Sequence, residues 1–283
     1  MKIAIQQLQL GRILTSEKKA KNALDTISNA GFNAIELNGF MIRKNPVIVK
    51  ILTELGGMPV KKSDTLDWKK LVKDTNLEVA SIHEDINTLE TNINLVIKEA
   101  KEYNTKFIVL TGNYKFDYSN EKVIDDLASR LNTIGKNLKE ENIEFLYHNH
   151  NVEFRHINDK ELAYDRLIDK TEKQYVNFEF DSYWPSVSGV DALSYMKKLG
   201  NRIRLHHICD NGNIQKGESI TPIVKMKAVE LGLGCLNLND MIDQDYKNNT
   251  EYVILEQHKN HIDNNPLKSA LLSLNYLKAK VKN

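Results

Sequence analysis

Three features of this sequence predict an α/β fold, a single (β/α)8 TIM barrel spanning residues 1–283 as one domain. Eight short apolar runs alternate with longer amphipathic ones from end to end. No linker rich in Pro, Gly or Ser and no shift of composition interrupts them. No glycine-rich phosphate loop follows the first strand, since residues 6–11 lack the pattern, which disfavours a doubly wound open sheet. Continuous alternation argues for a parallel sheet, and eight units argue for its closure.

The elements follow in order. Lys2–Gln7 reads as a strand and Glu17–Ala30 as a helix that ends at Gly31. Asn33–Leu37 is a strand, followed by an irregular stretch with helical turns up to Asn76, and then the strand Glu78–His83. Leu89, Ile93, Val96, Ile97, Ala100 and Tyr103 fall at helical spacing, so one helix is expected over Thr88–Tyr103. Lys106–Leu110 is a strand bounded by Thr111-Gly112-Asn113. Ile124, Leu127, Leu131, Ile134 and Leu138 then form a single apolar stripe, before the strand Ile143–His148. Further on come Lys160–Lys170 (helix), Tyr175–Phe180 (strand), Val190–Leu199 (helix) and Arg202–His207 (strand). A long polar connection runs from Asp210 to about Lys227. A short helix at Asn239–Gln244, the strand Tyr252–Glu256 and a helix over Pro266–Lys280 complete the pattern.

Composition narrows the function classes. Lys and Arg number 39 against 38 Asp and Glu, a net charge of +1, which gives no electrostatic reason to expect nucleic acid or an anionic membrane as partner. Two cysteines, Cys209 and Cys235, are too few for a disulfide framework or a thiolate zinc site. The amino terminus enters a strand pattern without the basic and apolar regions of a signal peptide, and no window has the apolar length of a membrane span. A cytoplasmic protein is the expectation.

In such barrels the chemistry sits at the carboxyl ends of the strands. Those ends carry Ile82-His83-Glu84-Asp85, Tyr147-His148-Asn149-His150 with Glu153 behind, Phe180-Asp181-Ser182-Tyr183-Trp184, His206-His207-Ile208-Cys209-Asp210 and Leu255-Glu256-Gln257-His258. Strand side chains alternate between faces. If Ile203 and Leu205 fill the lumen, His207 points inward and His206 outward. Tyr252, Ile254 and Glu256 share a face on the eighth strand, as do Leu146, His148 and His150 on the fifth. On the sixth, Asp181 shares its face with Asn177 and Glu179, so Val176, Phe178 and Phe180 are expected to face the helix layer.

His148, Asp181, His207 and Glu256 therefore converge as expected metal ligands. Two imidazoles and two carboxylates suit one borderline divalent ion, manganese first, with zinc, cobalt or iron as alternatives. Such an ion polarises a carbonyl or hydroxyl oxygen, while a neighbouring carboxylate or imidazole, Glu256 or His150, moves the proton. His83, Glu153, Trp184 and Asp210 are the expected substrate contacts. Each has a plainer reading: His83 and Trp184 as packing residues, Glu153 and Asp210 as loop charges. Glu36 reads as a salt-bridge partner in the lumen.

At these residues the sequence resembles the sugar phosphate isomerase/epimerase superfamily, the xylose isomerase-like barrels. The resemblance runs along nearly the whole chain. Its carriers are Gly31-Phe32-Asn33-Ala34-Ile35-Glu36-Leu37 at the second strand and, most specifically, Ile134-Gly135-Lys136-Asn137-Leu138-Lys139 through Tyr147-His148-Asn149-His150-Asn151-Val152-Glu153-Phe154. The resemblance implies one divalent metal held by His148, Asp181, His207 and Glu256. Many members carry Glu where His148 stands, which puts a shuttle between two carboxylates in doubt and leaves His150 as a candidate base. Whether His148 or His150 is the strand-five ligand stays open. His207-Ile208-Cys209-Asp210 resembles the family's His-x-x-Asp/Glu. Val229-Glu230-Leu231-Gly232-Leu233-Gly234 has Leu233 where Glu is frequent, and His258 stands where Asp is frequent.

The implied activity is a metal-dependent isomerase or epimerase working next to the carbonyl of a keto-sugar or sugar phosphate. The alternative is a lyase or dehydratase on a keto-sugar or keto-inositol that uses the same metal and base, towards which the strand-five histidine leans. An endonuclease IV-like repair enzyme ranks last, because it needs a metal cluster and a basic face. The expected partner is a small sugar. A homo-oligomer is compatible with the architecture.

Overall fold

The computed structural model describes residues 1–45 and 62–282. Part of the irregular stretch expected before Asn76, positions 46–61, lies outside the described residues. Around it stand short helices at Gly39–Ile42 and Trp68–Lys73.

The sheet strands are β1 (Lys2–Gln6), β2 (Ala34–Asn38), β3 (Glu78–Glu84), β4 (Phe107–Leu110), β5 (Glu144–His148), β6 (Val176–Asp181), β7 (Ile203–Ile208) and β10 (Tyr252–Leu255). They form a closed barrel in the order β1-β10-β7-β6-β5-β4-β3-β2, the eight-stranded architecture that the alternation predicts. The ladders β1–β2, β3–β4, β4–β5 and β5–β6 are parallel, with Ala4 opposite Ala34 and His148 opposite Glu179. Two shorter strands, β8 (Asp210–Gly212) and β9 (Lys227–Val229), pair antiparallel outside the barrel. The connection expected to be merely polar therefore leaves and returns as a ribbon.

The chain divides into two compact units. One holds Met1–Glu78, His207–Asp243 and Val253–Asn283, the other Val79–His206 and Gln244–Tyr252.

In the first unit, β2 is buried at every position, Glu36 included. Ser16 caps the helix Glu17–Ala30 by accepting from the Lys19 N–H, and Asn265 caps Pro266–Lys280 by accepting from Leu267 and Lys268. Both helices match their expected spans because cap and apolar periodicity agree.

In the second unit, the helix Glu121–Glu140 buries the stripe Ile124, Leu127, Leu131, Ile134 and Leu138. Gly135 lies on that face. A Cβ there would stand 2.1 Å from the Tyr175 carbonyl oxygen, so any side chain would push the helix off the sheet. Two helices replace the single one expected over Thr88–Tyr103: Ile86–Thr91 and Ile93–Glu102. The Asp85 carboxylate accepts from the Thr88 N–H and starts the first, and Asn92 at φ −144°, ψ 42° leaves helical geometry between them. The apolar spacing runs through the break and hides it.

Phe178 and Phe180 lie 5.8 and 6.4 Å, ring to ring, from Tyr164 of the helix Ala163–Lys170. The apolar face of β6 is thus turned to the helix layer, and Asn177, Glu179 and Asp181 take the other face, as parity predicts. Arg202, buried below the same helix, donates to the carbonyls of Ile168, Thr171 and Val176. Burial lowers its pKa to about 10. Among the described residues, no helix is long and apolar enough to cross a membrane.

Candidate metal centre and active site

Each unit contributes its own group of buried ligand-type side chains at the carboxyl ends of strands. In the second unit the group is His83, His148 and Glu179, whose ligand-type atoms lie within 4.8 Å of one another. His148 Nδ1 is 2.8 Å from Glu179 Oε2, and His83 Nε2 is 2.7 Å from the same oxygen. The pairing is built into the ladder, because His148 and Glu179 stand opposite each other on β5 and β6. The His83 and His148 rings meet edge-on at 5.3 Å.

Asp181 ends β6 and is held by Asn149, which sequence reasoning passed over. Asn149 donates from Nδ2 to the Asp181 carbonyl and accepts the Asp181 N–H at Oδ1, each at 3.0 Å. The side-chain amide thus imitates one more rung of the ladder beyond the end of β5. Asp181 Oδ1 accepts the Tyr183 N–H at 2.8 Å.

His150 is half-buried, its ring 4.8 Å from that of His148 and 5.8 Å from that of Trp184. Gly112 makes room for it, since a Cβ at that glycine would sit 2.9 Å from His150 Nδ1. Glu153 is fully buried behind the strand. Its Oε2 accepts the His150 N–H at 3.0 Å, and its Oε1 accepts from the Tyr147 hydroxyl at 2.8 Å. Burial pushes the Glu153 carboxyl up, although the Tyr147 hydroxyl and backbone N–H groups pull the other way. Those bonds make Glu153 a support for His150.

In the first unit the group is Glu36, His207 and Glu256. His207 is fully buried, with Nδ1 2.8 Å from Glu256 Oε2 and Nε2 2.6 Å from Glu36 Oε2. One imidazole thus lies between two carboxylates, as the salt-bridge reading of Glu36 anticipates. Glu256 Oε1 is 3.1 Å from His258 Nε2. Burial alone would raise the Glu256 carboxyl, but the imidazoles of His258 and His207 outweigh it and hold the group well below the usual carboxylate range. His258 is a site residue that the sequence marked only as a departure from Asp.

The main chain after Glu256 is pinned, because the Gln257 N–H donates to Gln9 Oε1 at 2.9 Å. Asp210 is occupied differently from the substrate contact expected of it. Its carboxylate accepts the N–H groups of Asn211, Gly232, Gly234 and Leu236 and so ties the ribbon to the following loop.

A family model described as xylose isomerase-like TIM barrel matches residues 24–280. The chain belongs to that family. Solved structures of the same fold agree along almost the whole length. A sugar phosphate isomerase/epimerase from Parabacteroides distasonis superposes with a TM-score of 0.74 at 20% identity, covering 98% of this chain and 93% of that one. A probable 3-DHS dehydratase from Bacillus anthracis gives 0.65 at 15%, covering 97% and 99%. The IOLI protein, solved with a bound zinc atom, gives 0.65 at 14%, covering 99% and 97%. No curated protein matches.

The donor set of this xylose isomerase-like barrel fits a divalent ion. Buried imidazoles already stand against carboxylates, and a cation can take the place of the shared proton. A buried cluster of His, Glu and Asp in this chain could therefore hold a metal.

Proposed function

We propose that this barrel, taken as one domain over 1–283, is a metal-dependent isomerase or epimerase of keto-sugars or their phosphates. The observation that carries the reading is the run of ligand-type residues His148, Asp181, His207 and Glu256. They stand at the carboxyl ends of β5, β6, β7 and β10, His207 one residue before the end of β7 and Glu256 one past that of β10. These strands are four neighbours in the strand order, and all four residues are buried. In the proposal they close on one divalent ion, manganese first, with zinc, cobalt or iron as alternatives. The zinc of the IOLI structure supports a metal at such a site.

When bound, the ion supplies Lewis-acid polarisation of the substrate's carbonyl. The chain's own residues do the rest. Glu256, held ionised between two imidazoles, or His150, presented by Glu153 beside Trp184, takes the proton from the carbon next to the carbonyl. Its return to the opposite face gives an epimer, and its return to the neighbouring carbon gives an isomer. Trp184 offers an aromatic wall for the sugar. His83 and Asp210 are less suited to the substrate role, because Glu179 and the loop backbone engage them.

The test is metal content combined with proton exchange. About one divalent ion per chain is expected, with deuterium entering next to the carbonyl when keto-sugars are incubated in heavy water. Full exchange by Glu256→Gln, or a purified chain that takes up neither manganese, zinc nor cobalt, would sink the reading. A second reading, a dehydratase of the same barrel type, is favoured by histidine at position 148 where an acid/base Glu is frequent. Loss of water from the substrate, instead of recovery of an isomer, would select it.

A further inference from the structure

Each proposed ligand imidazole has a second nitrogen set against a buried carboxylate outside the ligand set. In one unit, Glu179 Oε2 stands 2.8 Å from His148 Nδ1 and 2.7 Å from His83 Nε2. In the other, Glu36 Oε2 stands 2.6 Å from His207 Nε2 and accepts from Gln6 Nε2 at 3.1 Å. The Gln6 amide is oriented for this, because its oxygen already accepts from Asn38 Nδ2 and the Leu8 N–H. Glu36 and Glu179 are both 0% exposed.

Burying two further carboxylates is costly unless each faces a donor. An ionised carboxylate only accepts, so the ring nitrogen facing it carries the proton. A neutral imidazole has one such proton, and the opposite nitrogen then holds the lone pair a metal needs. We propose that Glu179 and Glu36 are positioning residues that decide which nitrogen each histidine offers: Nε2 of His148 and Nδ1 of His207. His83 stands against the same oxygen from a second side, its Nε2 2.7 Å from Glu179 Oε2. The inference rests on the metal reading above and gives Glu179, Glu36 and His83 a role that neither the resemblance nor strand parity assigns.

The test compares Co2+ affinity, by chelator competition, in the full-length wild type, Glu179→Gln, Glu36→Gln and Asp245→Asn. The last is a control, since Asp245 is also 0% exposed and bonded to an imidazole, that of His206, away from the proposed ligands. Loss of an outer carboxylate on a ligand histidine lowers metal affinity by about 10–100-fold, so both Gln variants should show that loss. Asp245→Asn should lower the melting temperature of the metal-free protein and leave affinity unchanged. Unaltered affinity in both Gln variants overturns the proposal. So does a wild type that binds two Co2+ and loses one in Glu179→Gln, because Glu179 would then be a ligand itself.

If the Gln variants do not fold, the Zn2+-loaded wild type decides. Long-range 15N–1H spectra should show zinc on Nε2 of His148 and on Nδ1 of His207, and the opposite nitrogens would overturn the proposal. A wild type that takes up no metal removes this inference and the proposed function together, whereas tight wild-type binding with unaffected variants removes this inference alone.

Discussion

His206 and His207 are neighbours on β7, both with no exposed surface and both bonded to carboxylates, yet they belong to opposite faces. His206 Nδ1 is 2.6 Å from Asp245 on the helix Leu238–Asn248, and Asp245 Oδ1 also accepts from the Thr250 hydroxyl. That pair bolts the strand to the helix layer. His207 lies between Glu256 and Glu36, with a second imidazole, His258, on the far side of Glu256. The lesson is that a buried His–carboxylate contact does not itself mark a functional site. One carboxylate on one imidazole is a closed structural pair, whereas several carboxylates and imidazoles sharing protons can exchange a proton for a cation.

The largest expected effect separates the two. His207→Ala should abolish stoichiometric Co2+ uptake with the fold retained, read by competition titration and circular dichroism. His206→Ala should keep Co2+ uptake but leave the buried Asp245 carboxyl group without its imidazole partner, costing up to about 3–5 kcal/mol in urea unfolding. If both substitutions act alike in both measurements, the distinction drawn between the two faces is wrong.

Next in size, His150→Ala should bind Co2+ as the wild type does while proton exchange in heavy water falls by about 10²–10⁴-fold, the usual worth of a general base. Loss of the metal instead would exchange the roles of His148 and His150. A smaller effect is expected from Gly112→Ala, whose new methyl group would press on His150 Nδ1. A roughly tenfold fall in exchange is expected, less than the cost of a full 1 Å misplacement, and unchanged exchange would show that the ring can move aside freely.

The smallest effect is a pH dependence of stability in the support behind His150. Burial raises the carboxyl of Glu153, so between the unfolded value of about 4.3 and the raised value the folded chain binds more protons than the unfolded one. Stability contributed by this group therefore falls as pH rises through that window. Glu153→Gln should remove that fall when urea unfolding is followed across a pH series. A wild-type slope that survives the substitution would assign it to another group.

Much of the fold was legible because it repeats. Eight apolar runs and the stripe from Ile124 to Leu138 are short-range signals, and each corresponds to an element of the structure. Parity along β6 also read correctly, since alternation on a strand is local. The break at Asn92 escaped because the apolar spacing continues across it, and the ribbon β8–β9 because its pairing joins Asp210 to Val229 across a polar connection.

The sequence by itself located the strand ends to within one residue, and with them the ligand-type residues His148, Asp181, His207 and Glu256. It also marked Glu36 as a salt-bridge partner. The tertiary structure alone decided what each residue faces. It set Glu179 against His83 and His148, His258 against Glu256, Asn149 along the backbone of Asp181, and the Asp210 carboxylate on the loop Gly232–Leu236. The reason is physical: alternation along a strand is fixed within a few residues, whereas a hydrogen bond between Glu36 and His207 joins positions 171 apart and exists only once the chain has folded.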